Sequence, residues 1–248
     1  MSVVKQIQVK SIHSSLANAF VKKHHYSGKV VPNSQLHFGC YLDNRLLGVM
    51  SFGASMDKAR MQGLVKGTGW SEFTELNRMA FADELPKNSE SRCIGIALRL
   101  IKKNAPHIKW VVSFADGTQC GDGTIYRASG FLLTNVKINK TILKMPNGSI
   151  VADKTLNNTN YKLKGESAGY WKKNGAVPIE GYMLRYIYFI DKSKQKDLTA
   201  PILPFSKIAD IGAKMYKGKR VELESKALGF QPKESRAVLT NTHQKGII

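Results

Sequence analysis

Ser91-Arg92-Cys93-Ile94-Gly95-Ile96-Ala97 begins an amphipathic segment, and Tyr126-Arg127-Ala128-Ser129-Gly130-Phe131 follows a short apolar run about thirty residues later. The first stretch reads Arg-x-x-Gly-x-Ala at a helix start. Small residues there let the backbone approach an anion, and the free N–H groups and dipole of a first turn favour negative charge. Gly95 and Ala97 would equally let a helix lie close on a strand, so the spacing by itself leaves both readings open. The second stretch reads Tyr-x-x-x-Gly-Phe, with Gly130 placed to end a short helix.

Outward from these motifs the chain alternates strands and helices. Residues 3–9 are predicted as a strand and 13–26 as a helix, with Ser14 or Ser15 as N-cap. Residues 37–42 and 46–52 are predicted as strands joined by the turn Asp43-Asn44-Arg45. A polar loop over 54–69 leads to a long strand over 70–81. A helix over 90–104 ends before Pro106, an apolar strand covers 110–114, and a short helix opens at Asp122 or Thr124. Further strands follow, among them the run Tyr186-Ile187-Tyr188-Phe189-Ile190. The pattern predicts an α/β fold with helices on both faces of one sheet. Residues 1–190 are expected to form one domain and 191–248 a basic, proline-punctuated extension. Residues 137–181 are longer than a hairpin needs and read as an insertion that faces nucleic acid.

Composition narrows the function classes. Hydrophobic residues make up 42% of the 248, which suits a packed core. No apolar run reaches the eighteen or so residues of a membrane span, and the first residues lack the apolar centre of a signal peptide. Three cysteines without metal-type spacing point to a reducing cytoplasm. Lys and Arg number 38 against 18 acids, a formal net charge of +20. Residues 1–42 hold five lysines and no acid. Such a surplus suggests a polyanion partner, with nucleic acid favoured over lipid because no basic amphipathic helix with a broad apolar face is evident.

The paired motifs, in that order and at that distance, resemble the GNAT acyltransferase superfamily. The resemblance implies a mixed, mostly antiparallel sheet in which two parallel strands splay to admit an activated acyl donor. Those strands would be 70–81 and 109–115. Ser91, Arg92, Gly95 and Ala97 would then bind the donor's anionic part. Tyr126 stands where such enzymes often protonate the leaving group, as a phenol can.

A narrower block carries a closer resemblance. Glu75-Leu76-Asn77-Arg78, Asn88-Ser89-Glu90-Ser91-Arg92, Ser113-Phe114-Ala115-Asp116 and Gly123-Thr124-Ile125-Tyr126-Arg127-Ala128-Ser129 look like the bacteriophage Mom family. The strand over 182–189 and Gly212-Ala213-Lys214-Met215-Tyr216-Lys217-Gly218 in the tail are similar too. The resemblance implies an enzyme that converts the exocyclic amine of adenine in DNA to a carbamoylmethylamino group, so that phage DNA resists host restriction. Double-stranded DNA is the expected partner and the host bacterial cytoplasm the expected location. An amine buried in the duplex stack requires base flipping.

Strand alternation puts Glu75 and Asn77 on one face and Leu76 and Arg78 on the other. Asp116 lies at the carboxyl end of its strand, where ligands of open α/β sheets gather. It is the first candidate for general base or amine-orienting acid, because the adenine lone pair is delocalised and a carboxylate would accept its N–H. Glu75 and Asn77 are candidates to read the adenine edge, since Asn pairs with adenine. Arg78, Ser113, Tyr26, Lys172 and Lys173 are expected to bind substrate. His24-His25 sits at a helix end, but neighbouring histidines point apart, and no metal site is expected.

The donor is an activated two-carbon unit, carried as a coenzyme A thioester or as glycyl-tRNA; an iron-assisted step is another route. tRNA is thereby a second candidate partner, and oligomeric state is not legible. Two further readings remain: an ordinary GNAT N-acetyltransferase acting on a protein or small-molecule amine, and a non-enzymatic DNA-binding protein on the same fold.

Overall fold

The computed structural model describes residues 3–117, 121–157 and 159–210. Cys120, His243, the motif at 212–218 and the rest of the tail from 211 lie outside them. In chain order the elements are β1 (Gln8–Ser11), α1 (Ser14–His24), β2 (Ser34–Leu42), β3 (Arg45–Gly53), α2 (Lys58–Gln62), β4 (Phe73–Phe81), α3 (Ser89–Asn104), β5 (Trp110–Asp116), α4 (Thr124–Ala128) and β6 (Leu132–Asn139). Then come β7 (Ile142–Lys144), β8 (Ile150–Ala152), α5 (Asp153–Leu156), α6 (Thr159–Leu163), α7 (Ala168–Lys173), β9 (Val177–Pro178), β10 (Gly181–Phe189) and α8 (Ser206–Asp210).

Seven strands form one sheet in the order β1-β2-β3-β4-β5-β10-β6. Every neighbouring pair is antiparallel except β4 and β5. That parallel ladder runs from Phe73 opposite Trp110 to Leu76 opposite Ser113 and stops. β4 continues to Phe81 and β5 to Asp116 without pairing to each other, so the sheet splits beyond Leu76. β5 can sit in the middle because Trp110-Val111-Val112-Ser113 is buried on both faces. This is the mixed, mostly antiparallel GNAT-like layout with its one splayed pair.

Helices cover both faces. Cys93 of α3 lies against Cys40 of β2, and Tyr126 of α4 packs on Tyr186 of β10. Both cysteines are free and buried. On the opposite face, Ile12 stands over Gly39, and His13, the N-cap of α1, lies beside His37. Phe73, Trp110, Val112, Ile187 and Phe189 of that face pack with Met61, Leu64 and Val65.

Between β6 and β10 the chain builds a second unit, a three-stranded sheet in the order β8-β7-β9 with α5, α6 and α7. It has its own core of Leu143, Met145, Leu156, Ala168 and Ala176.

Some expectations need correction. Residues 3–6 are a 3-10 turn rather than part of the first strand. The loop over 54–69 contains α2, whose start is fixed by the Asp57 carboxylate accepting the Arg60 N–H at 3.3 Å. The segment expected to leave the domain at 191 lies against it as far as Asp210. Leu198 bridges to Val65, the Leu203 N–H donates to the Leu133 carbonyl at 2.8 Å, and Ile208 is buried in the main core. Pro201 and Pro204 interrupt these apolar residues, which erases the periodicity that would have revealed their burial.

Candidate active site

α3 begins at a cleft of about 600 Å³. Asn88, Ser91, Arg92, Gly95 and Arg99 recur on one side of the helix and line it, and Lys5 closes it from the N-terminal segment. Three cations and no carboxylate border this space among the described residues. Asn88, in the left-handed conformation at φ 69°, gives the helix no side-chain cap. The Ser89 N–H donates to the Pro86 carbonyl at 3.2 Å, and the next N–H groups of the uncapped first turn favour an anion. Arg92 Nη2 donates to the Lys5 carbonyl at 3.2 Å, while its buried Nε has no partner among the described residues. A Cβ at Gly95 would meet only Arg99 Nη1, at 3.6 Å, so internal packing does not require glycine here. An orphaned guanidinium N–H and a missing side chain in a cationic cleft fit a phosphate-bearing donor. Ala97 is different: it is fully buried in the main core. Its small side chain serves packing.

The split in the sheet opens on the other face. Asn77 is an extra residue in β4, for Ser51 of β3 pairs with Arg78 and the next residue, Phe52, pairs with Leu76. This bulge shifts the alternation by one position. Arg78 therefore lies with Glu75 rather than with Leu76, which is in the core. Burial raises the Glu75 pKa above the usual carboxylate value, and the Ser55 hydroxyl, Lys154 and Arg78 oppose that shift. Asn77 Oδ1 accepts the Ser34 hydroxyl at 2.7 Å, leaving its buried Nδ2 without a partner among the described residues. Arg78 is braced by the Lys29 carbonyl at 3.0 Å and the Asn77 carbonyl at 3.2 Å.

His25 stands close to this group. Burial, with the Arg78 charge, lowers its pKa to about 4. Its Nδ1 accepts the Ser27 N–H at 3.1 Å, so at neutral pH the ring is uncharged with its proton on Nε2. The Tyr26 ring lies 4.2 Å from the His25 ring and is largely exposed. Across the split, Asp116 ends β5 opposite Met183, and Asn139 Nδ2 donates to its Oδ1 at 3.5 Å. The second unit closes in from the side: Lys29 Nζ donates to Thr155 at 3.0 Å, and Lys154 lies near Glu75.

Other expected site residues lie elsewhere. Tyr126 is 7% exposed and wedged between Phe131 and Tyr186. Ser113 is buried, and its hydroxyl donates to the Leu76 carbonyl at 2.9 Å, tying the two strands at the last rung before they part. Lys172 pairs with Asp153 at 2.9 Å, and Lys173 follows it at the exposed end of α7. His24 stacks on Phe20 instead of joining His25. Among the described residues no group of three or more His, Cys, Asp or Glu could hold a metal. Sequence reasoning missed Ser34, Lys29, Asn139 and Lys154, which reach the site only through tertiary contacts. The Asn139-Lys140-Thr141 turn is the exception, since Asn139 Oδ1 caps the Thr141 N–H at 3.1 Å, a pattern local enough to read.

A sheet split at a single parallel pair, with an anion cleft at a helix start on one face and carboxylates at the split on the other, has the architecture of an acyltransferase. Within that class the chain belongs to the Mom protein family, which it matches over residues 6–207. Methylcarbamoylase mom of Escherichia phage Mu is 33% identical over 201 residues, spanning 80% of this chain and 81% of that protein. Among solved structures, a Bacillus subtilis acetyltransferase in complex with CoA is similar at 10% identity and a TM-score of 0.42, over 74% of this chain and 97% of that one. The spermidine/spermine N-acetyltransferase SpeG of Vibrio cholerae is similar at 10% identity and a TM-score of 0.45, over 79% and 99%.

Proposed function

We propose that this chain modifies phage DNA, converting the exocyclic amine of adenine to a carbamoylmethylamino group and so shielding the DNA from host restriction. The match to a phage methylcarbamoylase over four-fifths of the chain carries this reading. The site supports it. Asp116 at the end of β5 accepts an N–H of the adenine amine and takes the proton that the amine loses on transfer. Asn77 Nδ2, without a partner among the described residues, donates to a ring nitrogen of the base, while Ser34 holds the amide in place. Glu75 and Arg78 fix the polar wall beside it. Tyr26, exposed at the rim, offers a ring for the extruded base to stack on.

The donor is an activated two-carbon unit on a phosphate-bearing carrier, bound along Lys5, Ser91, Arg92 and Arg99. Attack of the amine on the ester of glycyl-tRNA releases the tRNA hydroxyl and brings the two carbons and one nitrogen of the product, whose connectivity then requires a rearrangement of the glycyl amide; an acetyl thioester of coenzyme A releases its thiol but needs a separate nitrogen donor and a two-electron oxidant to reach the same group. Both carriers suit the cleft's charge. Double-stranded DNA is the acceptor, in the host bacterial cytoplasm. Lys173 and the lysines of the second unit lie along its backbone.

Nucleoside mass spectrometry on plasmid DNA from bacteria expressing the chain tests this directly. A heavier deoxyadenosine, absent with Asp116→Ala, is expected, and its mass gives the transferred group. Unmodified DNA from soluble, well-expressed protein would instead favour an acetyltransferase of protein or small-molecule amines.

A further inference from the structure

Met56 has no part in the chemistry above, and its placement is unusual. The side chain is 75% exposed, yet the loop beneath it is pinned on both sides. Gly53 backs onto the Asn33 carbonyl so closely that a Cβ would stand 2.1 Å from its oxygen. Asn33 Nδ2 donates to the Ala54 carbonyl, and the Thr74 hydroxyl to the Gly53 carbonyl at 3.1 Å. Ser55 is buried with its hydroxyl toward Glu75. Asp57 then caps α2. An unbranched apolar side chain is thus held in solvent from a fixed root, one residue from the site's polar wall. Lys154 Nζ stands 3.8 Å from Met56 Sδ and also lies near Glu75, so tip, cation and carboxylate share one mouth. Leu163 is more exposed, at 82%, but it ends α6 in the second unit.

We propose that Met56 is a wedge that enters the base stack of duplex DNA as the target adenine leaves it, with Lys29 and Lys154 beside the flanking phosphates. This rests on the DNA reading above. Apolar side chains, methionine among them, unstack base steps when driven between them, and a gap left by a flipped nucleotide closes unless something fills it. A thioether suits that slot because it is slim, polarizable and favourable against aromatic faces. A fixed root matters too, since a floppy loop would yield instead of prising the step open.

Permanganate footprinting on a long mixed-sequence duplex tests the wedge without donor or turnover. The reagent attacks thymines that have lost stacking, including those left opposite an extruded adenine. The intact chain is expected to bind and to raise reactivity at a subset of thymines. Met56→Ala should bind within about twofold but lower that reactivity about tenfold, and Met56→Leu should restore it. Wild-type reactivity in Met56→Ala overturns the proposal, as does wild-type binding with no reactive thymine. So does a Met56→Leu variant that fails to recover. Reactive thymines without any heavier deoxyadenosine would keep the wedge and remove the assigned chemistry. A chain that does not bind DNA at all would remove both.

Discussion

Asp116 is the side chain on which the proposed transfer turns, because it ends a central strand where the sheet has just split. Asn139 Nδ2 donates to its Oδ1 at 3.5 Å. Asp116→Asn keeps the shape and removes the base, so modified deoxyadenosine should fall by about 10² to 10⁴ while DNA binding is unchanged. Equal loss in both assays would make Asp116 a binding group. Glu75 gives a pH signature. Its pKa is raised in the folded chain, so the ionised carboxylate opposes folding at neutral and alkaline pH, and the opposition fades as pH falls to the ordinary value of 4.5. Glu75→Gln should therefore raise the unfolding midpoint at pH 7 to 8 and lose that advantage near pH 4. A gain independent of pH would sink the burial argument. Both residues were visible in the sequence as polar positions on the two strands expected to splay. What strict alternation could not give was Arg78 beside Glu75, because no local signal marks the bulge at Asn77. The core positions of Ala97 and Tyr126 also depend on which face of α3 and α4 meets the sheet.

α3 and the end of the parallel ladder make the site an affair of whole elements. The helix is built by Cys93, Ile94, Ala97, Leu98 and Ile101 on its buried side, a spacing plain in the sequence. Gly95 falls on the other side, mid-helix, where glycine costs about 0.5–1 kcal/mol relative to alanine. Since an added Cβ would meet only Arg99 at ordinary contact distance, Gly95→Ala should stabilise the fold by about that amount. The same methyl intrudes on the donor cleft, so modification should drop as stability rises; calorimetry and nucleoside analysis on one preparation would separate the two. A stable, fully active variant would return Gly95 to a packing role. Ser113 is the opposite case. Ser113→Ala strips the Leu76 carbonyl of its buried donor at the point of splay, which should cost about 1–3 kcal/mol by chemical denaturation. The split itself was legible only through the family resemblance. Periodicity marks strands and says nothing about which of them part.

At the scale of the whole molecule, the chain carries a surplus of cations of the kind that suits a long polyanion. Residues 137–181 carry eight lysines against three acids, and residues 211–248 eight basic side chains against three acids. The second unit, built on its own core of Leu143 and Leu156, brings its share to the mouth of the site through Lys154. Composition made this surplus plain from the outset, but not its address, since a lysine's neighbours across the molecule are invisible in one dimension. Lys172 illustrates the difference: paired with Asp153 at 2.9 Å, it braces α7 against α5. Lys173, one residue on, is exposed at the end of α7. DNA affinity should then fall steeply with salt, by about 10³ to 10⁵ between 50 and 200 mM for six to ten phosphate contacts. Lys173→Ala should weaken binding evenly across sequences and reduce the slope of log affinity against log salt by about one, while leaving the melting transition in place. Lys172→Ala should instead loosen the second unit, exposing the chain near α7 to protease before any change in slope. Fluorescence anisotropy with a short duplex, read across salt for both variants, distinguishes them. A flat salt response from a chain of net charge +20 would mean that these lysines face something other than a DNA backbone.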